Sequence, residues 1–433
     1  MDNRTARRFL LLAVVVFILI SSQPLYGQPV PPALRLAVPE SQQATKDTVT
    51  AGSSQVAADE VMTRANRQRS GAYSTKGPSK LHELLWKSPQ IFTFKTKPTG
   101  GMIDITKFPN GDQYVTFYPS DTTFPGARFS TPIIANGTIF FSLYLGEGHL
   151  IAVDAATGQR KWTYKTGGLS LTEPAVAGGD VYIGDIGGIL HVLDAATGQE
   201  KWRFTIKNYR YAFGSPVVAD GVVYFTDLNK DFKGEVCALD IQSRQPRWIY
   251  QSKMYVSSIA IGPDAVYFGT DTGFLSAVDI KTGQEKWQLK AKVWNPVFVD
   301  GMIYFTDGEK LSAVEAETGK LKWRASANGK VGAAMAIADN TIWYGGSYDS
   351  LYAVDAQTGR EKWKFKTKTF CFSPIVADGI VYVGGEEHLY AVDGQTGVMK
   401  WKLDGEKAII STPAVADGRV YVVHSDGHVY SFR

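Results

Sequence analysis

Cysteine is scarce in this sequence, with only Cys237 and Cys371 among 433 residues. A disulfide-rich scaffold is therefore excluded. No cysteine lies near the end of the N-terminal apolar run, which argues against a lipoprotein anchor. The fold must instead rest on burial of apolar side chains, and a chain of this length is long enough to bury a large core.

An excess of charge of one sign is also lacking. The formal net charge is only +4, and half of it comes from Arg4, Arg7 and Arg8 against Asp2. So small a positive charge excludes, on net charge, the electrostatic attraction typical of proteins that bind nucleic acid. No nucleic acid partner is expected.

Long apolar runs are absent beyond the first residues. The run FLLLAVVVFILI occupies residues 9–20, behind a basic start and ahead of the small residue Gly27. It is too short to span a bilayer comfortably, and the pattern is typical of a secretory signal peptide. We predict a signal peptide over 1–27 that is cleaved after Gly27, leaving no transmembrane span, with an uncleaved anchor as the main alternative. The protein is then exported and periplasmic or extracellular.

What the sequence does contain is a repeat. Seven segments share one pattern: IAVDAATGQRKW (151–162), HVLDAATGQEKW (191–202), CALDIQSRQPRW (237–248), SAVDIKTGQEKW (276–287), SAVEAETGKLKW (312–323), YAVDAQTGREKW (352–363) and YAVDGQTGVMKW (390–401). Their final tryptophans lie 40, 46, 39, 36, 40 and 38 residues apart, and a period near 40 is typical of a repeat architecture. Each copy alternates as a strand, turns at Asp and Thr-Gly, and begins a second strand at Lys-Trp, which predicts a β-hairpin.

A second turn precedes each copy. Hairpin turns are predicted at Asn136-Gly137, Gly179-Asp180, Asp220-Gly221, Pro263-Asp264, Asp300-Gly301, Asp339-Asn340, Asp378-Gly379 and Asp417-Gly418. There are eight of these turns but seven tryptophan segments, so the eighth unit lacks its fourth strand. A segment at 84–96, LLWKSPQIFTFKT, has the composition needed to supply that strand and so to remove an exposed sheet edge.

These patterns predict an all-β, eight-bladed propeller of four-stranded antiparallel blades, closed by an N-terminal strand. An open solenoid or two stacked sandwiches are the alternatives. The chain then divides into the signal peptide, a disordered tether at 28–63 that is rich in Pro, Ser, Thr, Gln and Ala, a lead-in and closing strand at 64–97, an insertion at 98–128 and the propeller at 129–433.

One tryptophan per blade, with a small alanine nearby, indicates indole packing between neighbouring blades rather than ligand binding. The residues expected to dock blades in this way are Trp86, Trp162, Trp202, Trp248, Trp287, Trp323, Trp363 and Trp401. One copy departs from the pattern, with Ser243 and Arg244 in place of Thr-Gly and Pro246 in the fourth strand. Because proline is tolerated at sheet edges, the fourth strand should be outermost and the first should line the axis.

The repeated Ala-x-Asp-x-x-Thr-Gly-x-x-x-Trp pattern resembles the pyrroloquinoline-quinone (PQQ) repeat family over about 130–433, and RANRQRSGAY at 64–73 looks like the lead-in of that family. The resemblance implies either a quinoprotein dehydrogenase, with PQQ and Ca²⁺ in the propeller mouth, or the non-enzymatic branch typified by the BamB subunit of outer-membrane assembly machinery. Short connections and the lack of adjacent cysteines are similar to the BamB-like branch, although BamB carries a lipidated cysteine that this chain lacks. Cys237 and Cys371 fall in nearly opposite blades, so no disulfide between them is expected.

Few residues are candidates for binding a metal ion or a quinone. Glu173 and Asn295 precede innermost strands and would be the ligands if PQQ and Ca²⁺ bind, but two oxygens fall short of the six to eight that Ca²⁺ takes. The segment DLNKDFKGE, with Asp227, Asn229, Asp231 and Glu235, partly resembles a calcium loop but has Phe232 where glycine is required, so a solvated loop is expected. Three histidines at equivalent places, His149, His388 and His428, are expected at the surface. No catalytic residue, metal ligand or cofactor is therefore assigned.

The connections that lead into the innermost strands mix cationic and aromatic side chains and should converge on one mouth. The candidate partner-binding residues are Arg210, Tyr211, Lys253, Tyr255, Lys292, Trp294, Lys368 and Phe370. They would suit an envelope protein or a peptide segment, possibly an acidic one, or the carboxylates of PQQ. We expect an exported, non-enzymatic binding scaffold in the cell envelope. A PQQ-dependent dehydrogenase or PQQ-binding relic is the alternative, and carbohydrate binding rests on the mouth aromatics alone.

Overall fold

A computed structural model of the protein describes residues 72–73, 75–80, 83–91, 102–107, 113–118, 128–144, 147–167, 172–185, 187–206, 214–229, 233–253, 255–270, 273–327, 331, 334–346, 349–367, 371, 373–385, 388–404, 411–424 and 427–433. The predicted signal peptide and tether lie outside these residues. The described residues form strands and turns, and no helix long and apolar enough to cross a membrane occurs among them.

The first four blades follow one another along the chain. Blade one holds β6 (Ile133–Ala135), β7 (Thr138–Tyr144), β8 (Gly148–Asp154) and β9 (Arg160–Lys165), with β5 (Arg128–Phe129) also paired to β7. Blade two holds β10 (Ala175–Ala177), β11 (Asp180–Gly184), β12 (Ile189–Asp194) and β13 (Glu200–Thr205). Blade three holds β14 (Val217–Ala219), β15 (Val222–Leu228), β16 (Gly234–Asp240) and β17 (Pro246–Gln251). Blade four holds β18 (Val256–Ile261), β19 (Ala265–Thr270), β20 (Phe274–Asp279) and β21 (Glu285–Lys290).

The remaining blades repeat the arrangement until the chain returns to its own beginning. Blade five holds β22 (Trp294–Val299), β23 (Met302–Thr306), β24 (Lys310–Glu315) and β25 (Leu321–Ser326). Blade six holds β26 (Ala336–Ala338), β27 (Thr341–Gly346), β28 (Ser350–Asp355) and β29 (Glu361–Lys366). Blade seven holds β30 (Ile375–Ala377), β31 (Ile380–Gly384), β32 (His388–Asp393) and β33 (Met399–Asp404), with β1 (Ala72–Tyr73) parallel to β30. Blade eight holds β34 (Ala414–Ala416), β35 (Arg419–Val423), β36 (Val429–Phe432) and β2 (Leu84–Lys87).

The eight antiparallel blades stand in a ring, which confirms the predicted eight-bladed propeller. The first strands of neighbouring blades contact one another around the axis, and the fourth strands are sheet edges. Pro246 begins such an edge strand, where its missing N–H costs no ladder bond. The closing strand is also confirmed, because β2 pairs antiparallel with β36 and places Leu84 opposite Phe432.

In six of the eight turns between first and second strands, the predicted residue pair lies in the left-handed region. In blade two the left-handed pair is Gly178-Gly179, one position before the predicted Gly179-Asp180, and in blade four neither Pro263 nor Asp264 has a positive φ. Asp220 has φ of 50° and Gly221 of 73°, and Asp378 and Gly379 have 49° and 71°. Two consecutive residues in the left-handed region form the tight hairpin that matches strand twist, and Asp-Gly tolerates it well.

The turns between third and fourth strands are held by their aspartates. In blade one the Asp154 carboxylate accepts hydrogen bonds from the amide and hydroxyl of Thr157, at 2.9 and 2.8 Å, and from the amide of Ala156. The same three bonds recur at Asp194, Asp279, Asp355 and Asp393. The Asp and Thr of the repeat are therefore turn-forming residues.

The repeated tryptophans join each blade to the next. The indole of Trp162 donates to the carbonyl oxygen of Ala195 at 3.1 Å and lies against Gly198, where an added Cβ would sit 2.5 Å from the ring. Trp86, Trp248, Trp287, Trp323 and Trp363 make the equivalent bond to Ala155, Ile280, Ala316, Ala356 and Gly394. The turn glycine is thus needed for close approach of the indole as well as for its positive φ.

At the junction between blades two and three, the tryptophan packs on the neighbouring turn in a different way. The blade-three turn has Arg244 in place of glycine, at a φ of 57°. Its guanidinium lies over the Trp202 ring, 5.5 Å from the centroid. A cation–π contact therefore takes the place of glycine-to-indole packing at this junction.

The predicted insertion contains a two-stranded antiparallel hairpin, β3 (Met102–Lys107) and β4 (Gln113–Tyr118). It belongs to a compact unit separate from the propeller.

Candidate functional site

Eight residues at equivalent places, at or just before the start of the innermost strands, form an axial ring, one from each blade. These ring residues are Thr131, Glu173, Ser215, Ser258, Asn295, Ala334, Ser373 and Thr412. All eight are half-buried, and seven of them have polar side chains. The axis of the propeller is therefore lined at this level by hydroxyl, amide and carboxylate groups.

Hydrogen bonds connect neighbouring positions of the axial ring. Thr131 donates to Glu173 Oε1 at 2.8 Å, and the Glu173 amide donates to Ser215 Oγ at 3.0 Å. Ser258 donates to Asn295 Oδ1 at 3.3 Å. The ring side chains are thus held by neighbouring blades, which orients them before any ligand arrives.

The two predicted quinone and calcium ligands, Glu173 and Asn295, both lie in the axial ring. They belong to blades two and five, with Ser215 and Ser258 between them. Their side-chain oxygens already accept hydrogen bonds, and Asn295 has a φ of 46°. The described residues bring together no group of three or more His, Cys, Asp or Glu able to hold a metal. Two engaged oxygens do not fit the six to eight ligands that Ca²⁺ takes.

The basic and aromatic mouth is described in part. Lys292 Nζ lies over the Trp294 ring, 4.6 Å from its centroid, and Trp294 packs on Gly308, where an added Cβ would be 2.7 Å from the ring. Lys253 is exposed and Tyr255 is half-buried. The other candidates, Arg210, Tyr211, Lys368 and Phe370, lie outside the described residues. The arrangement presents an ammonium group beside an aromatic face, directly next to the ring residue Asn295.

A buried polar network that the sequence analysis missed joins blades one and two. The His191 ring lies between two carboxylates, with Nε2 3.1 Å from Asp185 Oδ2 and Nδ1 3.2 Å from Glu200 Oε2. Tyr164 of blade one donates to Glu200 and lies 3.0 Å from His191 Nδ1. Burial, followed by the Glu200 contact, raises the pKa of Tyr164, so the phenol stays a donor.

Glu200 remains ionised within this network. Burial pushes its pKa upward, but hydrogen bonds from Arg203, Tyr164 and His191 outweigh burial and leave that pKa below its usual value. Arg203 binds both carboxylate oxygens, at 2.7 and 3.0 Å. The clue in the sequence was His191 itself, which stands where other copies have Ile, Cys, Ser or Tyr.

The calcium-like segment of blade three is not the solvated loop that we expected. Asp227 and Asn229 are 2% and 8% exposed, because both belong to the extended end of the long hairpin of β15 and β16. Burial, then the neighbouring Glu235, raises the pKa of Asp227 to about 7. Asp231 lies outside the described residues.

The three equivalent histidines do not form a site. His149 contacts Glu147, His388 lies 2.8 Å from Asp404, and His428 contacts the carbonyl oxygen of Ser88 at 2.8 Å. Each is half-buried rather than fully exposed. Cys237 and Cys371 are buried thiols that form no disulfide with each other, in agreement with their places in different blades.

Comparison with known proteins agrees with the fold. A curated BamB, the outer membrane protein assembly factor of Burkholderia pseudomallei, is 25% identical over 184 residues, which is 38% of this chain and 46% of that protein. The match thus spans about half the length of the curated relative.

Solved structures show the same architecture. BamB from Moraxella catarrhalis superposes with a TM-score of 0.57 at 17% identity, over 70% of this chain and 94% of that one. Quinohemoprotein alcohol dehydrogenase from Comamonas testosteroni superposes with a TM-score of 0.65 at 15% identity, over 87% of this chain and 80% of that one. At these identities the likeness concerns the fold alone.

The family comparison is more extensive. The model of the PQQ-repeat family described as outer membrane protein assembly factor BamB matches residues 146–293, 289–371 and 369–433, about two thirds of the chain. With the repeated Asp turns and blade-docking tryptophans, this match identifies the chain as a member of the PQQ-repeat, BamB-like family of β-propellers.

Proposed function

We propose that this protein is an exported, non-enzymatic propeller that binds an envelope protein, or a peptide segment of one, at its mouth. The observation that carries the proposal is the Lys292–Trp294 pair, fixed on Gly308 beside the axial ring. An aromatic face combined with a cation, backed by rigid backbone, is the kind of anchor on which protein interfaces depend.

The chemistry of the mouth favours an extended segment with acidic and apolar side chains. Lys253 and Lys292 offer exposed ammonium groups, and Trp294 offers an apolar face. The hydroxyls and amide of the axial ring offer donors and acceptors to a backbone that reaches the axis. Membership of the BamB-like family supports a location in the cell envelope and partners among outer-membrane assembly proteins.

A crosslinking experiment tests this proposal. A photoreactive amino acid at Lys253 should yield a discrete adduct in cells, and the K292A/W294A variant should lose that adduct while its circular dichroism shows that the propeller stays folded. The matched control is Lys364→Ala. Lys364 lies on the outer strand of blade six, and its Nζ is 5.1 Å from the centroid of the Tyr352 ring, so the variant also removes a lysine beside an aromatic ring. An adduct that survives K292A/W294A would show that this mouth is not the binding surface.

A titration with PQQ tests the enzymatic alternative. Structural likeness to a quinohemoprotein alcohol dehydrogenase over 87% of the chain motivates that measurement. Following tryptophan fluorescence and quinone absorbance with and without Ca²⁺, we expect no saturable binding. Saturable binding that Glu173→Gln abolishes would replace the scaffold proposal with a PQQ-binding one.

A further inference from the structure

Three blades carry an aspartate at the same place, close to the end of the second strand and before the chain turns towards the third. Asp185, Asp227 and Asp307 each lie three residues after a buried tyrosine of the second strand, in blades two, three and five. The blades are structural repeats, so each aspartate can be compared directly with the other two.

The negative charges of two of the three carboxylates are stabilised by hydrogen-bond donors and basic side chains of the protein. Asp185 accepts from the amides of Gly187 and Ile189 at 2.9 and 3.0 Å and faces His191. Asp307 of blade five likewise accepts from the amides of Glu309 and Lys310, at 2.9 and 2.7 Å, and pairs with the guanidinium of Arg324. Each therefore has two backbone donors and one basic side chain.

Among the described residues, Asp227 has neither kind of partner. It is 2% exposed, and its Oδ1 is buried without a hydrogen-bond donor from that part of the chain. In the β15–β16 ladder it stands directly opposite Glu235, a second carboxylate. Directly opposed residues have Cβ atoms about 4.5–5.5 Å apart, so the two acids share one small region of low dielectric constant.

Such an arrangement is unfavourable unless a positive charge joins it. Burying an unpaired carboxylate is costly, and a second acid at this distance increases the cost. At blades two and five the sequence supplies His191 and Arg324, whereas at blade three the position equivalent to His191 is Cys237. The uncompensated position is thus specific to blade three.

We propose that Asp227 and Glu235 bind a divalent cation at the top of blade three. The donors there are oxygens: the two carboxylates and the side-chain amide of Asn229, whose Nδ2 donates to Glu235 Oε1 at 2.9 Å and so orients it. Gln251 donates to the same Glu235 oxygen at 3.2 Å. All-oxygen donors favour a hard cation such as Ca²⁺ or Mg²⁺ over a soft metal.

The site is sparse, and its affinity should be modest. Two carboxylates leave most of a calcium coordination sphere to water, which predicts a Kd of about 1 mM, in the range of extracellular calcium modules. This site is separate from the axial ring and does not depend on the proposed mouth function.

Calcium alone is the first probe, applied to the purified protein after EDTA treatment and dialysis. In roughly 10 mM calcium chloride the Tm of the wild type should rise by about 2 °C or more, since a ligand that binds only the folded state stabilises it. Isothermal titration should report one site, and magnesium chloride forms a parallel arm. Asp227→Asn should abolish the Tm shift, and Glu235→Gln should weaken it.

Two further variants sharpen the test. Asp307→Asn is the matched control, because it removes the equivalent but compensated aspartate and should leave the calcium-dependent shift intact. Cys237→His places an imidazole where His191 stands in blade two, and should make the Tm insensitive to calcium by supplying the missing partner. If that variant does not fold, Asp227→Asn and Glu235→Gln still decide the question.

Several results would overturn the proposal. One is a wild type whose Tm responds to neither cation, and another is an Asp227→Asn variant that keeps the full shift. A third is a calcium-free protein whose stability falls as pH rises from about 5 to about 8 and that neither cation restores, which would show that Asp227 is compensated by a proton.

Discussion

Trp401 donates its indole N–H to the carbonyl oxygen of Pro78, 3.0 Å away and 323 positions earlier in the chain. In six other blades the equivalent indole N–H donates to a carbonyl oxygen in the turn between the third and fourth strands of the next blade. Blade eight has no such turn, because its fourth strand comes from the N-terminal segment. Tyr382 also donates to Pro78, at 3.1 Å, so the Gly77–Pro78 segment substitutes for the missing turn.

Gly77→Ala should therefore weaken ring closure. A Cβ at this position would overlap the hydroxyl of Tyr382, a fully buried side chain with little room to move. We expect a loss of about 1–3 kcal/mol in the free energy of unfolding, measured by urea denaturation. Tyr382→Phe removes the nearest of the overlapping atoms, so the double variant should lose less than the sum of the two single variants. Strict additivity would contradict the contact.

Arg244→Gly should leave stability unchanged or raise it by up to about 1 kcal/mol. A side chain in the left-handed region costs about 1–2 kcal/mol, whereas an exposed cation–π contact returns about 0.5–1 kcal/mol. Arg244→Ala keeps the strained φ and loses the contact, so it should be destabilising. Gly283→Ala, at the equivalent turn of blade four, should cost more than either change, because the added Cβ would meet the Trp248 ring at 2.6 Å.

His191→Leu should destabilise the protein by about 3–5 kcal/mol, since it leaves the buried Asp185 carboxylate facing an apolar group. The measurement is thermal or urea unfolding at neutral pH. Ser276→Ala is the matched control at the equivalent position of blade four, where the hydroxyl accepts a neutral hydrogen bond from Gln288 at 3.1 Å. The Asp185→Asn/His191→Leu double variant should recover part of the loss; no recovery would mean that packing, not charge, dominates.

Acid should destabilise the third-to-fourth-strand turns together. The Lys400 ammonium, with hydrogen bonds from Thr396, holds the pKa of Asp393 at about 2. A carboxylate with a lowered native pKa binds protons less readily when folded than when unfolded, so its contribution is present above about pH 4 and is lost as pH falls towards 2. The Tm should drop on acidification over that window, and less steeply in Asp393→Asn. An equal slope in the two proteins would refute the assignment.

The propeller fold was predictable because the sequence pattern that indicates it is repeated along the chain. One Asp-Gly turn is weak evidence, but eight hairpin turns, four of them Asp-Gly, that alternate along the chain with seven tryptophan segments permit few folds. Trp86 could be placed in blade eight because the count left one position empty. Pro246 in a fourth strand also indicated that the first strands line the axis, and the axial ring with Glu173 and Asn295 lies at the start of those strands.

The remaining features were not predictable because they depart from the repeat. His191, Glu200 and Tyr164 come from two blades, and each looks like ordinary variation until the blades are placed side by side. Nothing in the local sequence marks Pro78 as an acceptor for Trp401. The same limit explains the error at Asp227, because a polar segment indicates a solvated loop unless the extended hairpin that buries it is known.

The pairing of β2 with β36 has a consequence for how the chain must fold. The amide of Val429 donates a hydrogen bond to the hydroxyl of Ser88, which lies 341 positions earlier in the chain. Strand β2 therefore cannot pair until β36, the last strand of the chain, has been synthesised. Until β36 has been synthesised, the backbone groups of the Leu84–Lys87 segment lack their strand partner, and the final pairing joins distant parts of the sequence. Native tertiary structure in this protein is therefore completed only after translation of the propeller is finished.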